Sequence, residues 1–276
     1  MERSAFRLCG MGAAFALISC LVAGDARALG AVGIQSWGTG NVEELLDGPG
    51  ASVNASAGGL AASMANNPSL DGSAWAHTGA WWILEIQNAP GAVVRVQADD
   101  AAQLSPGVSV WATGSAPFDG GTTGFGGEIS TASFGTPHSF NAFGPLGDTG
   151  TLWMEDGQGG NAKELLGYAV SGPSHAGVGG WGETIEHGAH DESLSDDYVA
   201  SVSGSVGAGF AELDLANPAN GWYLIYVGGT DPSLEGGVFT LSVTTVPEPG
   251  TGLLLISGLA VLGARFGHGA SRRSVR

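Results

Sequence analysis

The densest collection of acid–base and metal-ligand side chains in this 276-residue chain is Glu186-His187-Gly188-Ala189-His190-Asp191-Glu192. Two imidazoles at i, i+3 with flanking carboxylates could hold a divalent metal, with His187, His190 and Asp191 as its ligands. The glycine and alanine between the histidines work against a helix that would orient them, so a solvated loop is the competing reading. Asp196-Asp197 and Glu155-Asp156-Gly157 are oxygen-rich turns of the kind that coordinate calcium through carboxylates and backbone carbonyls, but neither follows an EF-hand or nonapeptide spacing. Ca2+ or another divalent cation is thus a candidate ligand, and no motif requires a cofactor.

Covalent catalysis would need a nucleophile with a base beside it. Gly172-Pro173-Ser174-His175-Ala176-Gly177 has the composition of a serine elbow, but its spacing is Gly-x-Ser-x-x-Gly and no strand-turn-helix pattern surrounds it. Gly177-Val178-Gly179-Gly180-Trp181-Gly182 matches the dinucleotide pattern letter for letter without the strand before it or the helix after it. Neither supports an enzyme, and a secreted hydrolase is the least favoured class. Sugar binding would use tryptophan faces with acids and amides nearby, for which Trp111, Trp153 and Trp181 are candidates. Tryptophan within a strand is more often core, which leaves Trp181, in a glycine-rich stretch, as the glycan-stacking residue.

The elements that would position these residues read as strands. Runs bounded by Gly, Pro, Asn and Asp occur at Trp81–Ile86, Val93–Ala98, Val108–Thr113, Gly150–Glu155, Glu164–Ser171, Tyr198–Val206, Gly209–Leu215, Trp222–Val227 and Val238–Thr244. Short strands so punctuated predict an all-β body, an antiparallel β-sandwich or jelly roll with long Gly-rich loops. Asp119–Gly127, Phe134–Gly150 and Gly172–Asp197 read as those loops, and residues 29 to 74 as partly irregular after a strand near Val32–Trp37. Helical signals are confined to one capped turn at Asn41–Leu46 and to Asn161–Leu166, which could open a strand instead.

Charge narrows the partners. Between residues 29 and 247 the only bases are Arg95 and Lys163, against 23 acids, the 26 of the whole chain less Glu2, Asp25 and Glu248. Nucleic acid is excluded, because its binding rests on phosphate neutralisation by Lys and Arg. Divalent cations suit such a surface, and so does a purely solubilising role for the acids.

Both ends carry addresses. Arg3 and Arg7 precede an apolar stretch from Leu8 to Ala23, and Ala26-Arg27-Ala28 is a small-x-small cleavage site, so residues 1–28 predict a secretory signal peptide with Leu29 as the mature N-terminus. Leu17-Ile18-Ser19-Cys20 offers the alternative of lipidation at Cys20, although Leu21 and Val22 continue the apolar run past it. Cys9 and Cys20 are the only cysteines, so the mature chain has neither disulfide nor thiol chemistry.

At the other end, Val246-Pro247-Glu248-Pro249 is followed by an apolar run from Thr251 to Ala264 and then by Arg265, Arg272, Arg273 and Arg276. Fourteen residues at 1.5 Å rise span roughly 21 Å of a roughly 30 Å hydrocarbon core, which suits a transient tether. The arginines place the tail in the cytoplasm and the body outside the inner membrane. Residues 246–276 resemble the PEP-CTERM sorting signal, a Pro-Glu-Pro motif followed by a hydrophobic helix and an Arg-rich end. The resemblance implies an exosortase-type protease as partner, cutting at or near the motif, and a cell-surface or matrix destination in a Gram-negative bacterium, in association with exopolysaccharide.

Residues 29–245 form the extracytoplasmic body. Within it, Asn220–Gly229 and Gly237–Val243 resemble the closing hairpin of pre-peptidase C-terminal-type sandwiches, which implies a fold and no activity. The expectation is a non-enzymatic exported protein, with a carbohydrate-binding module of the envelope as the alternative.

Overall fold

The computed structural model describes residues 28–29, 32–66, 74–76, 79–118, 161–176 and 184–246. These residues form strands and turns, with no helix among them. A six-stranded sheet runs in the order β13 (Gly188–Asp191), β10 (Glu164–Val170), β9 (Pro106–Gly114), β16 (Gly221–Gly229), β7 (Ala80–Gln87) and β3 (Leu45–Asp47). Facing it is a five-stranded sheet, β14 (Ser201–Gly207), β15 (Phe210–Ala216), β8 (Gly91–Ala98), β17 (Gly237–Thr245) and β4 (Ser52–Gly59). A small sheet joins β11 (His175–Ala176), β12 (Thr184–Ile185), β5 (Met64–Asn66) and β6 (Ala74–Ala76), and β1 (Ala28–Leu29) pairs with β2 (Val32–Gly33). All named pairings are antiparallel except β3 with β7.

The two large sheets differ in their sequence pattern, and the difference sets their place in the fold. β7 reads Ala-Trp-Trp-Ile-Leu-Glu-Ile-Gln, an almost unbroken apolar run, and it is buried on both faces for most of its length. β9 and β10 behave in the same way. β15 alternates, Phe-Ala-Glu-Leu-Asp-Leu-Ala, and buries only Ala211, Leu213 and Leu215. A strand buried on one face needs period-two alternation, and a strand covered on both does not. The six-stranded sheet is therefore the middle of the molecule and the five-stranded sheet an outer wall.

Between them lies the main core. Trp82, Leu84 and Ile86 from β7 and Tyr223, Ile225 and Val227 from β16 meet Val94 and Val96 from β8 and Phe239, Leu241 and Val243 from β17. The Trp82 and Phe239 rings cross edge-on at 6.0 Å. Each such side chain contributes about 1.5–3 kcal/mol by leaving water. Trp37 closes one margin by donating its indole N–H to the Ile83 carbonyl at 2.8 Å.

Eight of the nine expected strands are present within a few residues of their expected bounds, and the all-β sandwich stands. Gly150–Glu155 lies outside the described residues, as do the expected loops at Asp119–Gly127 and Phe134–Gly150. Five expectations are corrected. Ser52–Gly59, placed in a partly irregular region, is an eight-residue strand whose Val53 and Ala55 point into the core. Gly172–Asp197 is not one long loop, because β11, β12 and β13 fall inside it. Neither helical reading holds, since Glu164 opens β10 within Asn161–Leu166 and Leu45 opens β3 within Asn41–Leu46. The last two strands form no hairpin: β16 lies between β9 and β7, β17 between β8 and β4, so the chain crosses from one sheet to the other between them. β16 is buried on both faces and suits the middle sheet, whereas β17 buries alternate residues and suits the outer one.

Candidate functional site

His190 sits on β13 opposite Tyr168 of β10, and the two rings stack at 4.5 Å and 21°. Its Nε2 is 3.2 Å from the Glu186 carbonyl. His187, in the turn before β13, is exposed; its Nδ1 lies 2.8 Å from the Gly172 carbonyl, and its backbone N–H donates to Ser174 Oγ at 3.0 Å. Asp191 uses both carboxylate oxygens locally. Oδ1 accepts from the Ser193 N–H at 3.1 Å and from the Ser193 hydroxyl, and Oδ2 accepts from the Val202 N–H at 3.0 Å. Among the described residues no group of three or more His, Cys, Asp or Glu side chains is arranged to hold a metal ion. The three residues act here as fasteners, and Asp191 ties β13 to β14 where the two sheets meet.

Ser174 has no imidazole against its hydroxyl in the bonds that place it, and the neighbouring His175 directs Nε2 to the Thr230 carbonyl at 3.0 Å. Gly172, Ser174, His175, His187 and Thr230 thus fasten β11 and β12 to the ends of β9 and β16. The Gly172 N–H completes the set by donating to Thr230 Oγ1 at 2.9 Å.

On the far side of the middle sheet, a single row crosses five strands in register: His190, Tyr168, Ser109, Tyr226 and Trp81. Trp81 packs on Tyr226 at 4.7 Å and on Trp111 at 5.8 Å. The Tyr226 hydroxyl donates to the Ser63 carbonyl, so β5 and its neighbours cover this row. Burial, with Glu192 and Glu186 adding to it, pushes the Tyr168 hydroxyl well above the usual phenol range. Trp111 is fully enclosed, which removes it as a sugar-stacking face, and the strand tryptophans Trp81 and Trp82 are core as well. Trp153 and Trp181 lie outside the described residues, together with Gly177–Gly180, Glu155-Asp156-Gly157, Ala26, Pro247 to Pro249 and Arg265, Arg272, Arg273 and Arg276.

The open face belongs to the five-stranded sheet. Arg95 on β8 stands at its middle, with Nη1 2.9 Å from Glu212 Oε2 on β15 and Nη2 3.0 Å from Gln97 Oε1. Its guanidinium lies 4.2 Å above the Phe210 ring. Glu212 Oε1 accepts from Ser205 of β14 at 3.2 Å, and Ser56 of β4 meets Thr240 of β17 at 3.2 Å. Cross-strand register sets Ser205, Glu212, Arg95, Ser242 and Asn54 in one line over all five strands. Sequence reading missed this group because Arg95 registers only as one of two bases, and nothing local ties it to Glu212, 117 residues away. The clue available was the alternation of Ser, Thr, Asn and Gln along the outward positions of these strands.

No protein-family model matches the chain, and no curated protein matches it. Two solved structures are similar in outline. CorA of Methylomicrobium album BG8, described as a surface-associated copper-binding protein important in copper acquisition, is 13% identical with a TM-score of 0.39, over 74% of this chain and 99% of that one. The secreted protein MopE of Methylococcus capsulatus, in which an oxidized tryptophan facilitates copper binding, is 13% identical with a TM-score of 0.35, over 73% of this chain and 86% of that one. Likeness at this level is too slight to carry a ligand or a role to this chain.

Proposed function

We propose that the chain is an exported, non-enzymatic β-sandwich, delivered to the envelope of a Gram-negative bacterium by its PEP-CTERM-like end and serving in the exopolysaccharide matrix. One observation supports this reading above the others, the place where the fold closes. Thr245, the last residue of β17, is buried and clamped to the turn at residues 48–51. Its hydroxyl donates to the Gly48 carbonyl at 2.6 Å and accepts from the Ala51 N–H at 3.0 Å, and its carbonyl accepts from the Gly50 N–H at 2.8 Å. The Val246 N–H then donates to the Gly91 carbonyl at 2.9 Å. Pro247, which has no N–H to give a sheet, follows at once. A protease acting at Pro247-Glu248-Pro249 would therefore cut immediately beyond the last strand of the sandwich.

The test is intact mass with N- and C-terminal sequencing of the protein recovered from its native cell surface. A species beginning at Leu29 and ending at or next to the Pro-Glu-Pro motif is the expected result. Recovery of an intact Arg276, or of lipid on Cys20, would overturn the sorting route.

A further inference from the structure

We propose that the outer face of the five-stranded sheet, centred on Arg95, is a binding platform for a neutral polysaccharide chain. The inference extends the matrix reading above to a ligand and a surface, and its test is independent of how the ends of the chain are processed.

Charge is the first argument. Of the 23 acids in the body, only Glu212 and Asp214 project from the strands of this face, and Arg95 neutralises Glu212 directly. The remaining outward positions are dominated by hydroxyls and amides, among them exposed Asn54, Ser56, Ser203, Ser205 and Gln97. The body as a whole carries 23 acids against Arg95 and Lys163. A polyanion would be repelled by the body as a whole, whereas an uncharged polyol meets little opposition at this one face.

The second argument is preorganisation. Arg95 is held from three sides, by the Glu212 carboxylate, the Gln97 amide oxygen and the Phe210 ring beneath it. An arginine so fixed loses little side-chain freedom on binding, and its planar group over an aromatic ring makes a flat patch with N–H donors at its rim. Sugar hydroxyls both donate and accept, so they need a mixed surface. Arg95 donates, Glu212 and Asp214 accept, and Asn54, Ser242 and Ser205 do either.

Shape is the third. The line from Ser205 to Asn54 crosses five strands, about 19 Å at the usual strand spacing, and its register is continuous at every step. A protein partner would look for large apolar anchors at the centre of its contact. Among the described residues the exposed large hydrophobics are Leu45, Leu60, Leu194 and Val238, and of these only Val238, near the start of β17, lies on this face, away from its centre at Arg95. An extended, hydroxyl-bearing chain fits a flat polar strip of that kind.

The experiment is affinity gel electrophoresis of the full chain in a polyoxyethylene detergent, through gels containing dextran, mixed-linkage β-glucan or, as the polyanion, alginate. Retardation by dextran or β-glucan but not by alginate is expected. The pair Asn54→Ala, exposed, with Ser242→Ala, half-buried with its hydroxyl towards the Arg95 carbonyl, should weaken that retardation about tenfold, the effect of losing about 1.4 kcal/mol of hydrogen bonding, while moving the thermal midpoint by no more than about 4 °C. Arg95→Lys, which keeps the charge but not the planar stack, should weaken it as well. Absence of retardation in both neutral glycans, equal retardation in alginate, or undiminished retardation of the Asn54/Ser242 variant would each overturn the proposal.

Discussion

Glu164 offers a sharp test of how the connection between β13 and β14 is held. Its side chain is 8% exposed, and its carboxylate takes three donors from that connection. Oε1 accepts from the Leu194 N–H at 2.5 Å and the Ser195 N–H at 2.9 Å, while Oε2 accepts from the Ser195 hydroxyl at 2.7 Å. Glu164→Ala strips two backbone N–H groups of their acceptor. An unsatisfied buried donor costs about 1–3 kcal/mol, and because Leu194 itself is exposed, water recovers part of that, leaving about 2–4 kcal/mol for the pair. Glu164→Gln keeps an oxygen for both N–H groups and loses only the charge assistance, about 1 kcal/mol. For a body of this size that is a fall in thermal midpoint of about 5–15 °C for the alanine variant and about 2–4 °C for the glutamine variant. Circular-dichroism melting and urea midpoints measure both, and limited proteolysis should cut the alanine variant first between residues 192 and 200. If alanine and glutamine variants agree within about 0.5 kcal/mol, the carboxylate does not hold this connection and the reasoning fails.

Three further outcomes are expected. Gly229→Ala would set a Cβ 1.9 Å from the Leu60 carbonyl oxygen, and Gly204→Ala one 2.1 Å from the Glu212 carbonyl oxygen; both should lose about 3 kcal/mol or more in urea unfolding, while Gly58→Ala, with open space around it, should change stability by no more than about 0.5 kcal/mol. Tyr223→Phe removes the hydroxyl that donates to the Ala219 carbonyl at 2.6 Å and should cost about 1–2 kcal/mol in the same assay, an unchanged midpoint counting against that bond. Burial, with Glu212 beside it, holds the Asp214 carboxyl above its ordinary value of 3.8. Ionised Asp214 therefore opposes folding at neutral pH, and the opposition fades as pH falls through the raised folded value towards 3.8. Asp214→Asn should accordingly raise the melting temperature at neutral pH and lose that advantage in stronger acid; a gain independent of pH would show that ionisation is not its cause.

Much of the fold was legible because strand periodicity is local. Residues 80–87 read as an almost unbroken apolar run, residues 210–216 and 237–245 as alternating ones, and that contrast separates a sheet covered on both faces from one that meets water. Ser52–Gly59 was hidden because Ser, Asn, Ala and Gly have little intrinsic preference for strands, and its pairing with β17 is what makes it one. The histidine cluster at residues 187–191 was legible as residue types only. Beyond the local Glu186 carbonyl that His190 meets, its side chains are directed to the Gly172 carbonyl, the Tyr168 ring and the Val202 amide, which lie outside the cluster.

By itself the sequence determined the all-β class, the strand positions in most of the body, the acidic balance and the absence of cysteine from residue 29 onward. All of these depend on residue type or on spacing of two, and neither needs to know what lies across the core. Tertiary structure alone decided that β16 and β17 part to opposite sheets, that Trp111 is enclosed, and that Arg95, Gln97, Phe210 and Glu212 share one surface. Strand pairing is chosen by which apolar faces must meet to exclude water, and loop-closure entropy grows only slowly with the length between them. Partners can therefore be far apart in the chain, and local spacing carries no record of them.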